Sequence, residues 1–174
     1  MPIQNKQDLL LKSLLTYYKN TNNLKKIVNI LFKKSKISLR VIDYLCTNYA
    51  KHNDVVYFIG NKKIPFNLFL DYRSQLKAYS KLQFDPFKRH NRININVPQS
   101  IIESEILETT VAQLNFFKWA IENKVLDYLE QSNNLKTIDS HMNSNLKKTI
   151  KKSETKIFTT SAKKHDLKVT VTFK

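Results

Sequence analysis

Residues 55–66 read VVYFIGNKKIPF, and this stretch decides the fold class of the chain. β-Branched and aromatic residues, which favour strands, stand on both sides of Gly60-Asn61, a dipeptide typical of hairpin turns. The stretch therefore predicts a β-hairpin. Because the segments on either side have the apolar spacing of helices, we expect an α+β protein that is mostly helical with a small antiparallel sheet.

Three amphipathic helices are predicted before the hairpin. Apolar residues recur every three or four positions over Lys6–Lys19 and Asn23–Lys34, and Ser38 is placed to cap a third helix that ends at Asn53-Asp54. Three helices followed by a hairpin is the order of elements at the end of a winged-helix module. A winged-helix-like N-terminal part is therefore a candidate architecture, on element order alone.

Three further elements are predicted after the hairpin. Apolar spacing predicts a helix over about Asn67–Lys81, and Asp85-Pro86 stops it, because the residue before a proline is pushed out of helical geometry. RININV, residues 92–97, alternates strictly and predicts a half-buried strand. A long helix is predicted from Thr109 or Thr110 to Gln131, and its wide apolar face indicates either deep burial or a partner.

The composition shifts after residue 132. Residues 133–153 are polar and rich in lysine, and we expect a mobile basic linker there. Residues 154–174 end in DLKVTVTFK, whose alternation predicts a terminal strand in a basic tail. We therefore predict a main domain over 1–132, a linker over 133–153 and a tail over 154–174. The strand of the tail would join a sheet of its own domain or of another subunit.

Charge is the strongest bulk signal of the chain. Its 174 residues carry 30 Lys and Arg against 14 Asp and Glu, a formal net charge of +16. The electrostatic field of such a charge attracts polyanions whatever the fold. An A+T-rich genome would also raise the lysine content without selection for binding. Glutamate codons are A-rich as well, however, so codon bias alone does not explain the shortage of acids.

Length and composition indicate one main globular domain. The single cysteine, Cys46, excludes an internal disulfide and fits a reducing compartment. No stretch approaches the roughly 20 apolar residues of a membrane span, and the amino terminus lacks the apolar run of a signal peptide. We therefore expect a soluble protein that is not exported and has no membrane partner.

The sequence offers little catalytic machinery. The single glycine, Gly60, excludes a phosphate-binding loop and a dinucleotide fingerprint, since both need several glycines. The four histidines have no spacing that holds a metal ion, so we expect no cofactor, no metal and no enzyme activity. A concealed nuclease site, in which two of Asp43, Asp71 and Asp85 hold a metal ion beside a lysine, is kept as an alternative.

Residues 72–93, YRSQLKAYSKLQFDPFKRHNRI, are the best binding candidate. Cations that can neutralise phosphates are interleaved here with aromatic rings that can stack on unpaired bases. The helical spacing favours burial of the aromatic residues, Tyr72, Tyr79, Phe84 and Phe87, and leaves the cations outside. The lysine-rich segment from Lys147 onwards, the lysine tail, begins within the predicted linker and adds further cations. The predicted nucleic-acid contacts, with the start of this segment included, are Arg73, Lys77, Lys81, Lys88, Arg89, Arg92, Lys147, Lys148, Lys151 and Lys152.

Charge is distributed unevenly over the rest of the chain. A second basic cluster has no acid between its members, which are Lys25, Lys26, Lys33, Lys34, Lys36 and Arg40. If the winged-helix architecture holds, the helix from Ser38 would contact base edges. That helix carries few side chains with polar end groups, so sequence-specific recognition of bases is weakly supported. Residues 103–130 are net acidic and favour a face for protein contacts.

Four blocks of the chain resemble a family of nucleocytoplasmic large DNA viruses, of the mimivirus, phycodnavirus or iridovirus kind. The blocks are LRVIDYLCTNYAKHNDVVYFI, FNLFLDYRSQLKAYSKLQFDPFKRHNRI, TTVAQLNFFKWAIENKVLDYLEQ and SAKKHDLKVTVTF. The resemblance implies a virus-encoded protein of uncharacterised activity that works in the infected cytoplasm or is packaged in the particle. It supplies no catalytic residues.

These observations predict a non-enzymatic viral protein that binds nucleic acid, DNA rather than RNA, through phosphate contacts with little sequence preference. It would be an accessory of genome packaging, transcription or replication. The alternative is a structural or scaffold protein of the virion that acts through contacts with other viral proteins. In either case we expect it in the viral factory of the host cytoplasm or in the virion.

Overall fold

The computed structural model describes residues 6–103, 105–131 and 133–160, with the backbone alone for residues 148–160. None of the described helices combines the length and the apolar composition of a membrane span. The α+β class, mostly helical with small antiparallel sheets, is confirmed. The elements are α1 (Lys6–Tyr17), α2 (Thr21–Leu31), α3 (Leu39–Tyr44), a π-helical turn (Leu45–Tyr49), α4 (Ala50–Asn53), β1 (Val56–Ile59), β2 (Ile64–Asn67), α5 (Leu68–Gln83), β3 (Arg92–Asn96), β4 (Ile106–Thr110), α6 (Val111–Glu122), α7 (Val125–Glu130) and α8 (Asn134–Thr160).

The three helices predicted at the amino-terminal end are present. Asn20 starts α2, because its side-chain oxygen accepts hydrogen bonds from two backbone N–H groups of the first turn. Ser38 caps α3 as predicted, accepting from the N–H of Val41 at 3.3 Å. The third predicted helix continues through the π-helical turn into α4 and ends at Asp54, whose backbone is left-handed (φ 42°).

β1 and β2 form the predicted hairpin. Gly60 lies in its turn at φ 68°, a left-handed conformation that glycine adopts without a Cβ clash. Tyr57 holds one face of the hairpin against α7 and the residue that follows α6. Its ring stacks on that of Tyr128 at 5.1 Å, and its hydroxyl donates to the carbonyl of Asn123 at 2.8 Å. The order of three helices and a hairpin is thus observed, while the winged-helix assignment itself stays a prediction.

α5 matches the helix predicted from about Asn67. The side chain of Asn67 caps it by accepting from the N–H of Leu70 at 3.0 Å. Its last turn departs from helical geometry at Ser80, whose backbone angles are φ 57° and ψ 170°. The helix ends at Gln83, just before the predicted Asp85-Pro86 break, and the chain then runs on to β3.

The predicted strand over 92–97 is β3, and Ile93 and Ile95 are half-buried in the expected alternation. Its antiparallel partner, β4, is not predicted by the sequence pattern. The register places Arg92 opposite Thr110 and Asn94 opposite Glu108. Because β4 leads directly into α6, this second two-stranded sheet fixes the start of that helix.

The wide apolar face of the predicted long helix is buried. Lys124, in a left-handed backbone (φ 59°), divides that helix into α6 and α7. Of the two alternatives for the apolar face, burial is the one observed along α6. An aromatic cluster forms around it, with neighbouring ring centroids 5.4–6.5 Å apart, and its members are Tyr72, Tyr79, Phe84, Phe116, Phe117 and Trp119.

The segment predicted as a mobile linker, residues 133–153, is helical from Asn134 onwards in α8. The linker prediction rested on polar composition, but α8 contains no glycine or proline. Leu135, Ile138, Met142 and Leu146 follow each other at three or four residues, which suits a helix. The described residues form two compact units, up to residue 138 and from residue 139. The division into domain, linker and tail stays a prediction, and the terminal strand lies outside the described residues.

Candidate nucleic-acid interface

The loop between α5 and β3 begins on a buried anchor. Phe84 is 1% exposed and sits in the aromatic cluster, as the sequence predicts. The next residue, Asp85, donates its N–H to the carbonyl of Ala112 at 3.3 Å and accepts the N–H of Phe87 on its carboxylate at 2.8 Å. This is an Asx turn, which reverses the chain locally and directs the following residues outwards.

Two side chains at the start of α6 hold the carbonyl groups of the same loop. The amide nitrogen of Gln113 donates to the carbonyl of Pro86 at 2.8 Å, and the hydroxyl of Thr110 donates to that of Lys88 at 3.4 Å. The hydroxyl of Thr109 donates to the amide oxygen of Gln113 at 2.9 Å and so orients that amide. The backbone on both sides of Phe87 is thereby fixed to the second sheet and α6.

An open cleft of about 500 Å³ lies in front of this loop. Lys88, Arg89 and Arg92 line it, so three of the predicted contacts come together at one place. Glu108 also lines it. The other lining residues described are Leu31, Phe32, Leu39, Pro86, Phe87, Ile106, Leu107, Thr109, Thr110 and Gln113.

Arg92 is only partly available to a phosphate. Its guanidinium forms an ion pair with the carboxylate of Glu108, and its Nε donates to the carbonyl of Arg89 at 3.1 Å. Glu108 offsets one positive charge of the cleft. The remaining positive charge of the cleft is therefore carried mainly by the half-buried Lys88 and the exposed Arg89.

Of the aromatic residues of 72–93 predicted to be buried, Tyr72 and Phe84 are buried and Tyr79 is half-buried. Phe87 is 43% exposed, so its predicted burial is wrong. The prediction extended the helical spacing beyond Asp85-Pro86, where the Asx turn ends that spacing. Phe32 is 45% exposed, although it continues the apolar spacing of α2. Lys33 follows it in a left-handed backbone (φ 58°) and ends that helix. Both rings line the cleft.

A second depression, of about 320 Å³, adjoins the cleft, because Leu31, Leu39 and Phe87 line both. It adds Lys33 and Arg40, two members of the basic cluster at residues 25–40. Two basic segments that are distant in the sequence therefore meet around Phe87. The charge pattern alone could name both segments, but only the tertiary fold brings them together.

Comparison with known proteins identifies the family. A model described as a family of unknown function (DUF7197) matches residues 3–170. The chain belongs to this family. The DUF7197 chain is also 37% identical, over 131 residues, to the uncharacterised protein L507 of Acanthamoeba polyphaga mimivirus. The matched region covers 74% of this chain and 50% of the relative. The chain thus spans about half the length of that curated relative. No solved structure matches. The predicted resemblance to an uncharacterised viral family is confirmed.

The other predicted contacts of this DUF7197 member lie elsewhere. Arg73, Lys77 and Lys81 are exposed on α5 and are not among the described residues that line the cleft. The guanidinium of Arg73 lies 5.8 Å from the centroid of the Phe69 ring, in a cation–π contact. In the lysine tail, Lys147 is exposed on α8. For Lys148, Lys151 and Lys152 the structure describes a helical backbone only.

The three aspartates weighed as nuclease ligands make distinct contacts in this DUF7197 member. Asp71 accepts from the indole nitrogen of Trp119 at 2.6 Å, and Asp85 closes the Asx turn. Burial raises the pKa of the half-buried Asp43, the nearby Asp85 raises it further, and Lys81 lowers it. The described residues contain no group of three or more His, Cys, Asp or Glu that could hold a metal ion.

Proposed function

We propose that this viral protein binds nucleic acid through phosphate contacts, without enzymatic activity and with little sequence preference. One observation carries the proposal: Lys88, Arg89 and Arg92 line a single open cleft in a chain of net charge +16. Lysine and arginine side chains neutralise phosphates and release counterions, which supplies affinity that does not depend on base sequence. DNA is the expected partner, because the family is one of large DNA viruses.

The role that fits this binding mode is an accessory of genome packaging, transcription or replication, in the viral factory of the host cytoplasm or in the virion. Contacts to phosphate position a protein on any stretch of nucleic acid, whereas sequence is read from base edges. Arg73, Lys77, Lys81 and the lysines of α8 would extend the phosphate contacts beyond the cleft. A protein of this kind coats or tethers nucleic acid without selecting a sequence.

The test is the salt dependence of binding to a fluorescent duplex of roughly 30 base pairs, measured by anisotropy. If about six phosphates are engaged, the affinity falls roughly a thousandfold between about 50 and about 200 mM salt. Simultaneous replacement of Lys88, Arg89 and Arg92 by alanine should make the slope shallower, by at most about 0.9 for each phosphate that is no longer neutralised. A wild-type affinity that hardly responds to salt would contradict the proposal.

The matched control removes the same charge from elsewhere. Lys12, Lys19 and Lys62 are exposed and are not among the described residues of the cleft, so their triple alanine variant also lacks three positive charges. We expect it to keep a slope close to that of the wild type. If both triple variants bind equally weakly, nucleic acid is attracted by the net positive charge of the whole protein and not by the cleft. The assignment of the site would then be wrong.

A structural role in the virion is a second candidate, because the hairpin presents apolar side chains to solvent. Val56 and Phe58 lie on one face of β1 and are 52% and 67% exposed. Such a face suits contact with another copy of the chain. Assembly that persists at high salt in sedimentation velocity, and is abolished in Phe58→Asp, would favour this role. A monomer under all conditions would exclude self-assembly through the hairpin.

A further inference from the structure

We propose that the surface around Phe32 and Phe87 binds an unpaired stretch of nucleic-acid strand, with bases stacked on the two rings and phosphates held by the surrounding cations. The proposal rests on the proposed function and specifies which form of nucleic acid the same cleft takes. A surface that used phosphate contacts alone would not distinguish paired from unpaired strands in this way.

The two rings are exposed together at one cleft. Phe32 is 45% and Phe87 is 43% exposed, and both line the cleft of about 500 Å³. A single exposed phenylalanine needs no explanation, but two at one cleft beside cations form a mixed apolar and positive surface. That combination is the one that unpaired strands recognise, since bases stack on aromatic rings while the backbone follows positive charge.

The cations surround the rings on both sides of Phe87. The cleft contributes Lys88, Arg89 and Arg92, and the adjoining depression contributes Lys33 and Arg40. Glu108 is the one acid among the described lining residues of these two cavities, and it pairs with Arg92. Because a carboxylate repels phosphates, we place the strand backbone along the side of Lys33, Arg40, Lys88 and Arg89.

The backbone that carries Phe87 is fixed before any strand binds. Asp85 accepts the N–H of Phe87, and the carbonyls of its two neighbours are bonded to Gln113 and Thr110. The backbone at Phe87 therefore loses little conformational freedom on binding, and this lowers the cost of association. Phe32 is held in a similar way at the end of α2, where its N–H donates to the carbonyl of Val28 at 2.9 Å.

An unpaired strand uses this surface better than the alternatives do. In a duplex each base is covered by its neighbours, so the rings of Phe32 and Phe87 would find only phosphates and base edges. An acidic peptide would satisfy the cations but offers no flat faces to the two rings. Bases of an unpaired strand have free faces, and this applies to every base, so the preference for sequence would be small.

The experiment compares labelled oligothymidylate of roughly 20 nucleotides with a duplex of the same length, by anisotropy at about 100 mM salt. The double variant Phe32→Leu/Phe87→Leu keeps apolar side chains and removes the stacking surfaces. We expect its affinity for the single strand to fall at least about fivefold for each ring, and its affinity for the duplex to stay within about twofold. Phe58→Leu, on the exposed hairpin face, is the control and should leave both affinities unchanged.

The outcomes separate this proposal from the proposed function. A wild type that binds neither form contradicts both. Binding of both forms with an equal decrease, or no decrease, in the double variant overturns the stacking alone. Displacement of the single strand by polyglutamate as readily as by unlabelled oligothymidylate also overturns it, because charge would then suffice. If the double variant does not fold, photocrosslinking of the wild type to iodouridine-substituted strand decides: crosslinks at Phe32 or Phe87 support the proposal, and crosslinks at other residues alone contradict it.

Discussion

Arg92 and Glu108 form an ion pair across the second sheet, at the wall of the cleft. The register places Arg92 opposite Thr110, two residues beyond Glu108, so the pair joins diagonal neighbours of β3 and β4. Both side chains are about half exposed, at 50% and 55%. An exposed pair of this kind contributes about 0–1 kcal/mol to stability. In the proposed function its larger effect would be on phosphate binding, because the carboxylate offsets the charge of one cation.

Replacement of Glu108 by glutamine should strengthen binding of nucleic acid. The change frees Arg92 and removes a negative charge from the wall of the cleft, where the proposed function places phosphates. Two unit charges about 7 Å apart in water interact by about 0.6 kcal/mol, which corresponds to roughly threefold in affinity. Anisotropy with the duplex and the single strand measures the gain, and Glu103→Gln, an exposed acid outside the described lining of the cleft, is the control. Unchanged or weaker binding in Glu108→Gln would mean that phosphates do not approach this wall.

Phe84 and Phe87, three residues apart, should respond differently to truncation. Phe84 is 1% exposed and contacts four other aromatic rings, so Phe84→Ala should lower the free energy of unfolding by about 3–5 kcal/mol. Phe87 is 43% exposed, so Phe87→Ala should cost less than about 1 kcal/mol. Urea denaturation measures both, and Phe84→Leu serves if the alanine variant does not fold. Equal decreases at the two positions would show that Phe87 belongs to the core.

The elements that the sequence predicts are those with a local cause. Gly60-Asn61 supplies the hairpin turn, and Ser38 caps α3 within its own first turn. These signals lie within a few residues of the structure they produce, so they are read without knowledge of the tertiary fold. The half-buried alternation of β3 is a local pattern of the same kind.

The features that the sequence does not predict depend on distant contacts or on unusual residues. β4 reads ILETT and has no clear alternation, and its pairing with β3 is what makes it a strand. Lys124 has a left-handed backbone, although this conformation is usually taken by glycine. The apolar pattern therefore does not predict the break between α6 and α7. The cleft itself requires residues 31–39 to meet residues 86–113, which only tertiary packing decides.

The stability of the protein should depend on the ionisation of Asp43. Burial and the nearby Asp85 raise its pKa above the ordinary value of 3.8, so the folded state holds this proton more tightly than the unfolded state does. The resulting stabilisation is full below the ordinary value and disappears as pH rises through the raised value. Asp43→Asn should therefore be more stable than the wild type at pH about 7, with a smaller difference at pH about 4.

Urea denaturation at the two pH values checks this, because the difference between the wild type and Asp43→Asn isolates one carboxyl group. Lys81 lowers the pKa of Asp43, so Lys81→Gln should enlarge the effect. Glu103→Gln, which replaces an exposed acid, is the control for a general response to charge. A difference that does not change with pH would mean that the carboxyl of Asp43 titrates alike in both states.

Ser80 should be a position where glycine stabilises the protein. Its backbone angles of φ 57° and ψ 170° lie in a region that costs a residue with a Cβ about 1–3 kcal/mol. Ser80→Gly removes that strain. Glycine also raises the conformational entropy of the unfolded chain, which lowers the free energy of unfolding by about 0.5–1 kcal/mol. We therefore expect a net increase of about 1 kcal/mol in the free energy of unfolding. Ser80→Ala is the matched control, because it removes the hydroxyl that accepts from the N–H of Leu82 at 3.3 Å and keeps the Cβ. Thermal and urea unfolding should rank the glycine variant above the wild type and the alanine variant at or below it. The reverse order would mean that the last turn of α5 does not hold Ser80 in a strained conformation.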